Sequence, residues 1–575
     1  CRREVRRGIH VASKNPKVKR TESAAAAPAR TAGIWDSKLR PLLERRAVLI
    51  GVLLIAIGAA RIASTYSRFC FTNDEPQHFA CGIEYLEKHT YQYEPEQPPL
   101  SRIAMAMLPW LDGSRMTGKH LFVDREGVAI MYQHGTPQRT LFLMRLGILP
   151  FFLLAGFVVF LWAKHHFGGP VAVAATALFT LEPTILAHAG LATADMALAA
   201  CLPAAFFAMI LWVESPTRRN TVLFGVASGL ALLAKFTALI YLPMAALLAL
   251  LYYLLVNRPG AAKVMGFARE RAGWFGAAVL VGAVTVWAGY LFSFGKLPWM
   301  SFPVPAPQLF QGIHDVLVHN QGGHPAFLLG SMSQNGWWYY FPVALAVKTP
   351  IAFLLLAGFG AVVCLRRRQA AWALPVAFSL GILLPAMVGN INIGLRHILP
   401  IYAGLSIAGG VAAVELATWS KGKKWAGPAA VLALVWLAGT GIWSHPYYLA
   451  YFNELAGSHP EKILVDSDLD WSQDYVEVAE KLRAMNVSEV NFGFVPWLNP
   501  YFEVWPGFPK IKPLQPLIPS SGWVVVSPSA DTLNQYGLLH RFPNLEPYWD
   551  KLKPVGKVGS TLFYYVAPGS IRLKQ

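Results

Sequence analysis

Apolar residues along this chain gather in long unbroken runs rather than at alternating positions. The runs occupy about 47–63, 141–163, 170–188, 194–213, 221–235, 237–256, 273–292, 343–364, 371–388, 397–417 and 426–443. A helix needs roughly 20 predominantly apolar residues to cross a bilayer. The pattern therefore predicts an α-helical polytopic membrane protein with about 11 transmembrane helices. The stretch 221–256 is too long for one span and short for two. Its polar borders decide between them. Arg218-Arg219 precede it, and Arg258, Lys263, Arg269 and Arg271 follow it. Basic loops belong on the same, cytosolic side, which requires two spans turning near Lys235.

The pattern changes at both ends. Residues 1–46 are rich in Arg, Lys, Ala and Pro without apolar periodicity and read as a disordered basic cytosolic tail. Beyond 443 the runs shorten. VNFGF (490–494), WVVVS (523–527) and TLFYYV (561–566) read as strands, and Asp474–Met485 reads as a helix. Residues 444–575 are thus expected to form a small α/β domain on the outer face. The span region, 47–443, carries two long outer loops at 69–140 and 293–342. No internal repeat is evident.

Composition agrees. The 575 residues are 54% hydrophobic and 14% charged, against about 25% charged in soluble domains. The net charge of +18 would suit a nucleic-acid binder, but the basic residues are placed otherwise. They lie in the tail and in loops at Lys164, Arg366-Arg367-Arg368 and Lys421, Lys423 and Lys424. This is the positive-inside pattern, so no nucleic-acid partner is expected. The N-terminus is expected inside. Segments 69–140, 189–193, 293–342, 389–396 and 444–575 are then outside. Of the five cysteines, Cys70 and Cys81 are expected to remain unpaired.

Chemistry collects on that outer side. Asp74 and Glu75 follow the first span, and Asp195 begins another run at the same face. Ionisable groups at the hydrocarbon edge are costly and tend to mark function. Lys235, Lys348, Arg396 and His397 supply cations or imidazole there, arginine being suited to bidentate phosphate contact. His78, Glu94 and Gln97 share the first outer loop and are candidates for the acceptor or sugar. Asp470 and Trp471 lie in DSDLDWSQD (466–474), which with Glu477 matches EF-hand ligand positions. Trp471 occupies the place where such loops need glycine, so the run reads as an acidic strand-to-helix turn near the site mouth. Asp470 and Trp471 join the candidates for acceptor or sugar binding, and Trp471, Trp497, Tyr501, Phe502 and Trp505 are candidates for sugar stacking, with interface anchoring or ordinary packing as the alternative.

One reaction uses these parts. A sugar on a polyprenyl phosphate stays at headgroup depth, and its leaving group is a stable phosphate anion that cations can stabilise. The acceptor hydroxyl then needs one base. Two carboxylates and His78 permit a divalent metal without demanding it. There is no GxGxxG after a strand and no Walker A motif.

The segments TNDEPQHF, EQPPL, EPTILAHAGLATADMALA, GLALLAKFTAL, YYFPVALAVKTP, NINIGLRHILPIY, HPYYLAYFNELAG and VDSDLDWSQD resemble the protein O-mannosyltransferase-like branch of the GT-C glycosyltransferases. The likeness is to the bacterial family 39, or dolichyl-phosphate-mannose-protein mannosyltransferase-like, set. It covers about residues 47–500. It implies a GT-C fold in the bacterial inner membrane and inverting transfer of a mannose-like sugar from a polyprenyl-phosphate donor. It also implies Asp74 as base, Glu75 as its neighbour in an acidic pair, and Asp195 as a second acidic site. The acceptor would be a protein or a lipid. Two departures bear on it: Gln97 stands where many relatives have histidine, and loop 293–342 does not resemble the sugar-binding MIR module. The rival within the enzyme class is aminoarabinose-type transfer to lipid A, for which a hydrophobic groove should open beside the first outer loop. The rival outside it is a lipid flippase, which would be expected to carry inverted repeats.

Overall fold

A computed structural model describes residues 34–420, 422–493, 508–514, 518, 520–529, 531–532 and 548–567. The expectations for residues 1–33 and for Trp497, Tyr501, Phe502 and Trp505 lie outside the described residues.

Helix α1 (Arg40–Ala63) opens the bundle. The first long loop then folds as three short helices, α2 (Glu75–Lys88), α3 (Pro99–Leu111) and α4 (Val123–Met131). The bundle resumes with α5 (Pro137–Phe167), α6 (Gly169–Leu181), α7 (Pro183–Ala189), α8 (Asp195–Glu214), α9 (Arg218–Ala234), α10 (Ala238–Asn257) and α11 (Ala261–Gly289). The second long loop carries hairpins β1–β2 (Phe294–Gly295, Val304–Pro305) and β3–β4 (Ala326–Leu328, Ser331–Ser333) around α12 (Pro307–Gly322). Then follow α13 (Tyr340–Lys348), α14 (Ile351–Arg366), α15 (Ala370–Ala386), α16 (Ile401–Trp419) and α17 (Ala426–Trp443).

The expected eleven spans resolve into three kinds. Among the described residues, seven helices, α1, α5, α8, α10, α11, α16 and α17, are each long and apolar enough to cross a membrane. Two runs are bent pairs rather than single spans. The 170–188 run turns 63° between α6 and α7, and the 343–364 run turns 119° between α13 and α14. Both bends sit at Glu182-Pro183 and Thr349-Pro350, where a proline disfavours helical backbone in the residue before it. Glu182 Oε1 accepts from Thr184 N at 3.4 Å, restarting the helix. Asn453 Nδ2 donates to Ala346 O and Thr349 O, both at 2.6 Å, closing the sharper bend. The last two runs, α9 and α15, have 17 residues each. The turn between α9 and α10 falls at Lys235, where the charge borders put it.

Burial sorts the helices. The apolar windows of α8 and α16 are 72% and 67% buried, which makes them the centre. Those of α10 and α11 are 11% and 17% buried, leaving Leu250, Leu251, Leu255, Val279 and Leu280 outward as a surface for lipid tails. Gly225 and Gly229 let α9 and α11 approach closely, since a side chain at Gly225 would meet Ala278 O.

After α17 the chain makes a short helical turn at Asp466–Asp468 and enters α18 (Tyr475–Ala484). Strands β5 (Glu489–Gly493), β6 (Lys510–Pro513), β7 (Gly522–Val526), β8 (Gly556–Val558) and β9 (Thr561–Val566) form one sheet in the order β6-β5-β7-β9-β8. The β6-β5-β7 part is parallel, and β9 closes it antiparallel. Cys70 N donates to Gln473 O at 2.9 Å, tying the entrance of this unit to the end of α1. Cys70 and Cys81 are free and buried.

Candidate active site

Four elements bring one charged side chain each to the same place. Asp74 precedes α2 at the N-cap position, yet its carboxylate caps nothing and is left to reach outward. Asp195 is the first residue of α8. Lys235 ends α9 in extended backbone. Arg396 lies in the short turn Leu395–Ile398 between α15 and α16.

Their charges alternate in space. Arg396 Nη1 lies 2.7 Å from Asp74 Oδ2 and 4.0 Å from Asp195 Oδ2. Lys235 Nζ lies 2.6 Å from Asp195 Oδ1, and Thr193 Oγ1 donates to Asp195 Oδ2 at 3.1 Å. Asp74 is 28% exposed and Asp195 only 2%. The chain of charges is neutral overall, and its open end is Asp74. Partial burial raises the strength of each pair above that of surface pairs.

Arg396 is held from behind. Its guanidinium carbon sits 4.1 Å from the centre of the Trp471 ring. Gly394 has φ 132°, and a side chain there would collide with Ser467 Oγ. Asp468 Oδ1 accepts from Leu395 N at 3.0 Å. Asp466, in left-handed backbone at φ 61°, lies within the field of Arg396 and Asp74. Burial pushes its carboxyl up to about 6, against the pull of Arg396.

Several expected site residues have other duties. Glu75 is fully buried and saturated. Its carboxylate pairs with Arg145 Nε and Nη2 at 2.9 Å each, and accepts from Ala192 N at 2.8 Å and Thr72 N at 2.7 Å. It clamps the loop before α8 to the start of α2, and so sets where Asp195 stands relative to Asp74. Both of its oxygens are occupied by these donors. Trp471 offers its face to Arg396 rather than to sugar. Asp470 is turned away, bonded to Ser527 Oγ and to Ser472 N, where it fastens β7's end to the acidic turn. Lys348 Nζ donates to Leu449 O at 2.7 Å and to Asp468 O, and lies over Phe452, so it braces the α13–α14 bend behind Arg396.

Glu94, Gln97 and His78 gather around Arg102. Arg102 pairs with Glu94, donates to Gln97 O at 3.2 Å, and donates to His78 Nδ1 at 3.1 Å. That fixes His78 as a neutral ring, its pKa lowered to about 3 first by burial and then by Arg102. Glu94 and Gln97 shape the loop. His78 remains within the electrostatic reach of Asp195 and Arg396. His397 is beside the cluster, with Nε2 buried and unpartnered, and burial together with Lys235 and Arg396 keeps it neutral.

Sequence reasoning missed Arg145, Arg102, His188 and His324. Arg145 and Arg102 were visible as lone arginines inside apolar helices, which is the signal of a buried partner. His188, at the end of α7, has Nδ1 buried and unpartnered within the field of Asp195, Arg396 and Lys235. His324, from the second long loop, feels Arg396 and Asp74. Local sequence gave no cue for these two.

A divalent metal fits the carboxylates poorly. Asp74 and Asp195 already face cations. Among the described residues, the group of three metal-ligating side chains that comes together is elsewhere, at His165, His166 and Glu214.

Residues 138–288, which run from α5 to α11 and include Asp195 and Lys235, match the family model of dolichyl-phosphate-mannose-protein mannosyltransferase. Over this segment, about a quarter of the chain, the protein is similar to that family. Among solved structures it is similar to ArnT from Cupriavidus metallidurans bound to undecaprenyl phosphate, with 15% identity over 89% of this chain and 97% of that one and a TM-score of 0.48. It is also similar to the oligosaccharyltransferase AglB from Archaeoglobus fulgidus in complex with an inhibitory peptide and a dolichol-phosphate, at 12% identity over 91% and 75% and a TM-score of 0.44. No curated protein matches the sequence. The four-charge cluster stands at one end of a bundle in which seven of the described helices are long and apolar enough to cross a membrane.

Proposed function

We propose that this GT-C protein transfers a sugar, mannose being the leading donor sugar, from a polyprenyl phosphate to an acceptor hydroxyl on the outer face of the bacterial inner membrane. The N-terminal tail would lie in the cytoplasm and the C-terminal α/β unit outside. The observation that carries this reading is the chain of alternating charges Asp74–Arg396–Asp195–Lys235.

The cluster suits a phosphate leaving group. Arg396 and Lys235 are drawn to the donor phosphate, which competes with Asp74 for Arg396 Nη1. Donor binding therefore releases Asp74 from its ion pair. The freed carboxylate takes the acceptor's hydroxyl proton as the acceptor oxygen bonds to the anomeric carbon from the far side. The bond from that carbon to the phosphate oxygen breaks, and its electron pair leaves with the lipid phosphate, where Arg396 and Lys235 stabilise the charge. The anomeric configuration inverts. Asp195 stays paired with Lys235 and fixes both cations' geometry.

One observation favours a lipid acceptor. A groove of about 510 Å³ lies between α3 and α5, lined by Leu108, Leu111, Phe142 and Leu143 with Asp112 and Arg139 at its rim. It opens beside the first outer loop, where the aminoarabinose-type reading expects it. The deciding assay offers radiolabelled mannosyl polyprenyl phosphate to purified enzyme with separate membrane-lipid and periplasmic-protein acceptors. Label on protein supports O-glycosylation, and label on lipid supports the second reading. Transfer to neither, with any sugar donor, sinks both.

A further inference from the structure

The far ends of α5 and α8 carry a second constellation that the transfer reaction does not use. His165 and His166 close α5, and Glu214 closes α8. Along α8 this is about 30 Å from Asp195, at 1.5 Å per residue. His165 Nε2 lies 2.8 Å from Glu214 Oε2, and His166 Nε2 lies 3.6 Å from Glu214 Oε1. One ligand atom from each residue falls within 4.8 Å of the others.

The decisive detail is His166. Its side chain is 5% exposed. Its Nδ1 lies 3.4 Å from Trp162 O. A carbonyl only accepts, so Nδ1 carries the proton and Nε2 of the neutral ring keeps its lone pair. That Nε2 is buried and has no hydrogen-bond partner. It faces a carboxylate oxygen that is also electron-rich. Two acceptors turned toward each other across 3.6 Å call for a cation between them. A backbone carbonyl holding the outer ring nitrogen is also the arrangement that fixes a histidine as a metal ligand. The three ligand atoms lie within 4.8 Å of one another, so small side-chain rotations that exchange the His165–Glu214 hydrogen bond for an ion bring them to bonds of about 2.0–2.2 Å. His165 and Glu214 are 39% and 45% exposed, which leaves water a way to complete the coordination.

We propose that His165, His166 and Glu214 form a zinc-class divalent metal site that staples α5 to α8 at the end of the bundle opposite the transfer centre. Two imidazoles and one carboxylate suit zinc rather than magnesium or calcium.

The test uses the full-length chain without a polyhistidine tag, stripped with chelator and held in lipid nanodiscs. Zinc is titrated calorimetrically, and cobalt is titrated by visible absorption. The expected result is one equivalent per chain, four-coordinate cobalt bands, and a zinc-dependent rise in Tm. His166→Ala and Glu214→Gln should weaken binding by more than the roughly 10–100-fold that loss of an outer-shell partner costs, and should abolish the Tm rise. Glu214 is half-exposed, so Glu214→Gln keeps the test valid where His166→Ala fails to fold. No saturable binding by the wild type, or equal binding by Glu214→Gln, overturns the proposal.

Discussion

Asp74 and Glu75 are neighbours in sequence with opposite surroundings. Glu75 is closed off from solvent and its two oxygens receive a bidentate guanidinium, two backbone amides and a hydroxyl. Asp74 keeps more than a quarter of its surface open and meets a single guanidinium edge. That partner can be taken by another anion. The difference teaches that buried ion pairs in this molecule do two jobs. The saturated one holds loops in register, and the unsaturated one can exchange partners and so carry chemistry.

The largest effect is expected from emptying the unsaturated side. Asp74→Asn should lower the transfer rate by about 10²–10⁴-fold, the range for loss of a general base, with an unchanged unfolding temperature. A steady-state assay at saturating donor checks it. The saturated side should respond in stability instead. Glu75→Gln or Arg145→Ala strands a buried partner and should cost about 3–5 kcal/mol, read as a lowered thermal transition in detergent. Activity per folded molecule should fall far less than in Asp74→Asn.

Smaller effects sharpen the comparison. Arg396→Lys keeps the charge but loses the planar fork and the Trp471 stack. A hydrogen bond to a charged group is worth about 1.5–3 kcal/mol, so donor affinity should fall about tenfold or more. Trp471→Leu removes only the cation–π support, about 0.5–2 kcal/mol, and should raise the donor KM by several-fold with kcat nearly unchanged.

A pH dependence in the acidic turn reads stability rather than transfer. Burial, reinforced by Asp470, pushes Asp474 up to about 7. Its folded pKa thus exceeds its unfolded value, so the folded state binds the extra proton between about pH 4 and pH 7. Stability is present below that window and is lost as pH rises through it. The wild type should melt higher at pH 5.5 than at pH 8. In Asp474→Asn, whose amide oxygen can still accept from Ser560, that part of the slope should vanish.

The helices were legible because hydrocarbon demands long apolar runs, and the Lys235 turn because charges cannot cross freely. The bends at Pro183 and Pro350 were also readable in principle, since X-Pro disfavours helix, but apolar length alone hid them. Asp74, Asp195, Lys235 and Arg396 could be gathered on one face from topology alone. Their pairing could not, because partners such as Asp74 and Arg396 are 322 positions apart. The same blindness merged Asp74 with Glu75: only the position of Arg145 on α5 separates the saturated carboxylate from the open one. Trp471 and Asp470 misled for a related reason. An aromatic beside an acid near a sugar site looks like a binding face until the guanidinium and the serines that occupy it are placed.

The most direct measurement is donor affinity and transfer rate together on folded Asp74→Asn. If the donor phosphate displaces Asp74 from Arg396, removing the carboxylate's charge removes the competitor. The variant should bind polyprenyl-phosphate sugar at least as tightly as the wild type while its transfer rate collapses. A variant that transfers at the wild-type rate, or one that loses donor binding with it, would contradict the account.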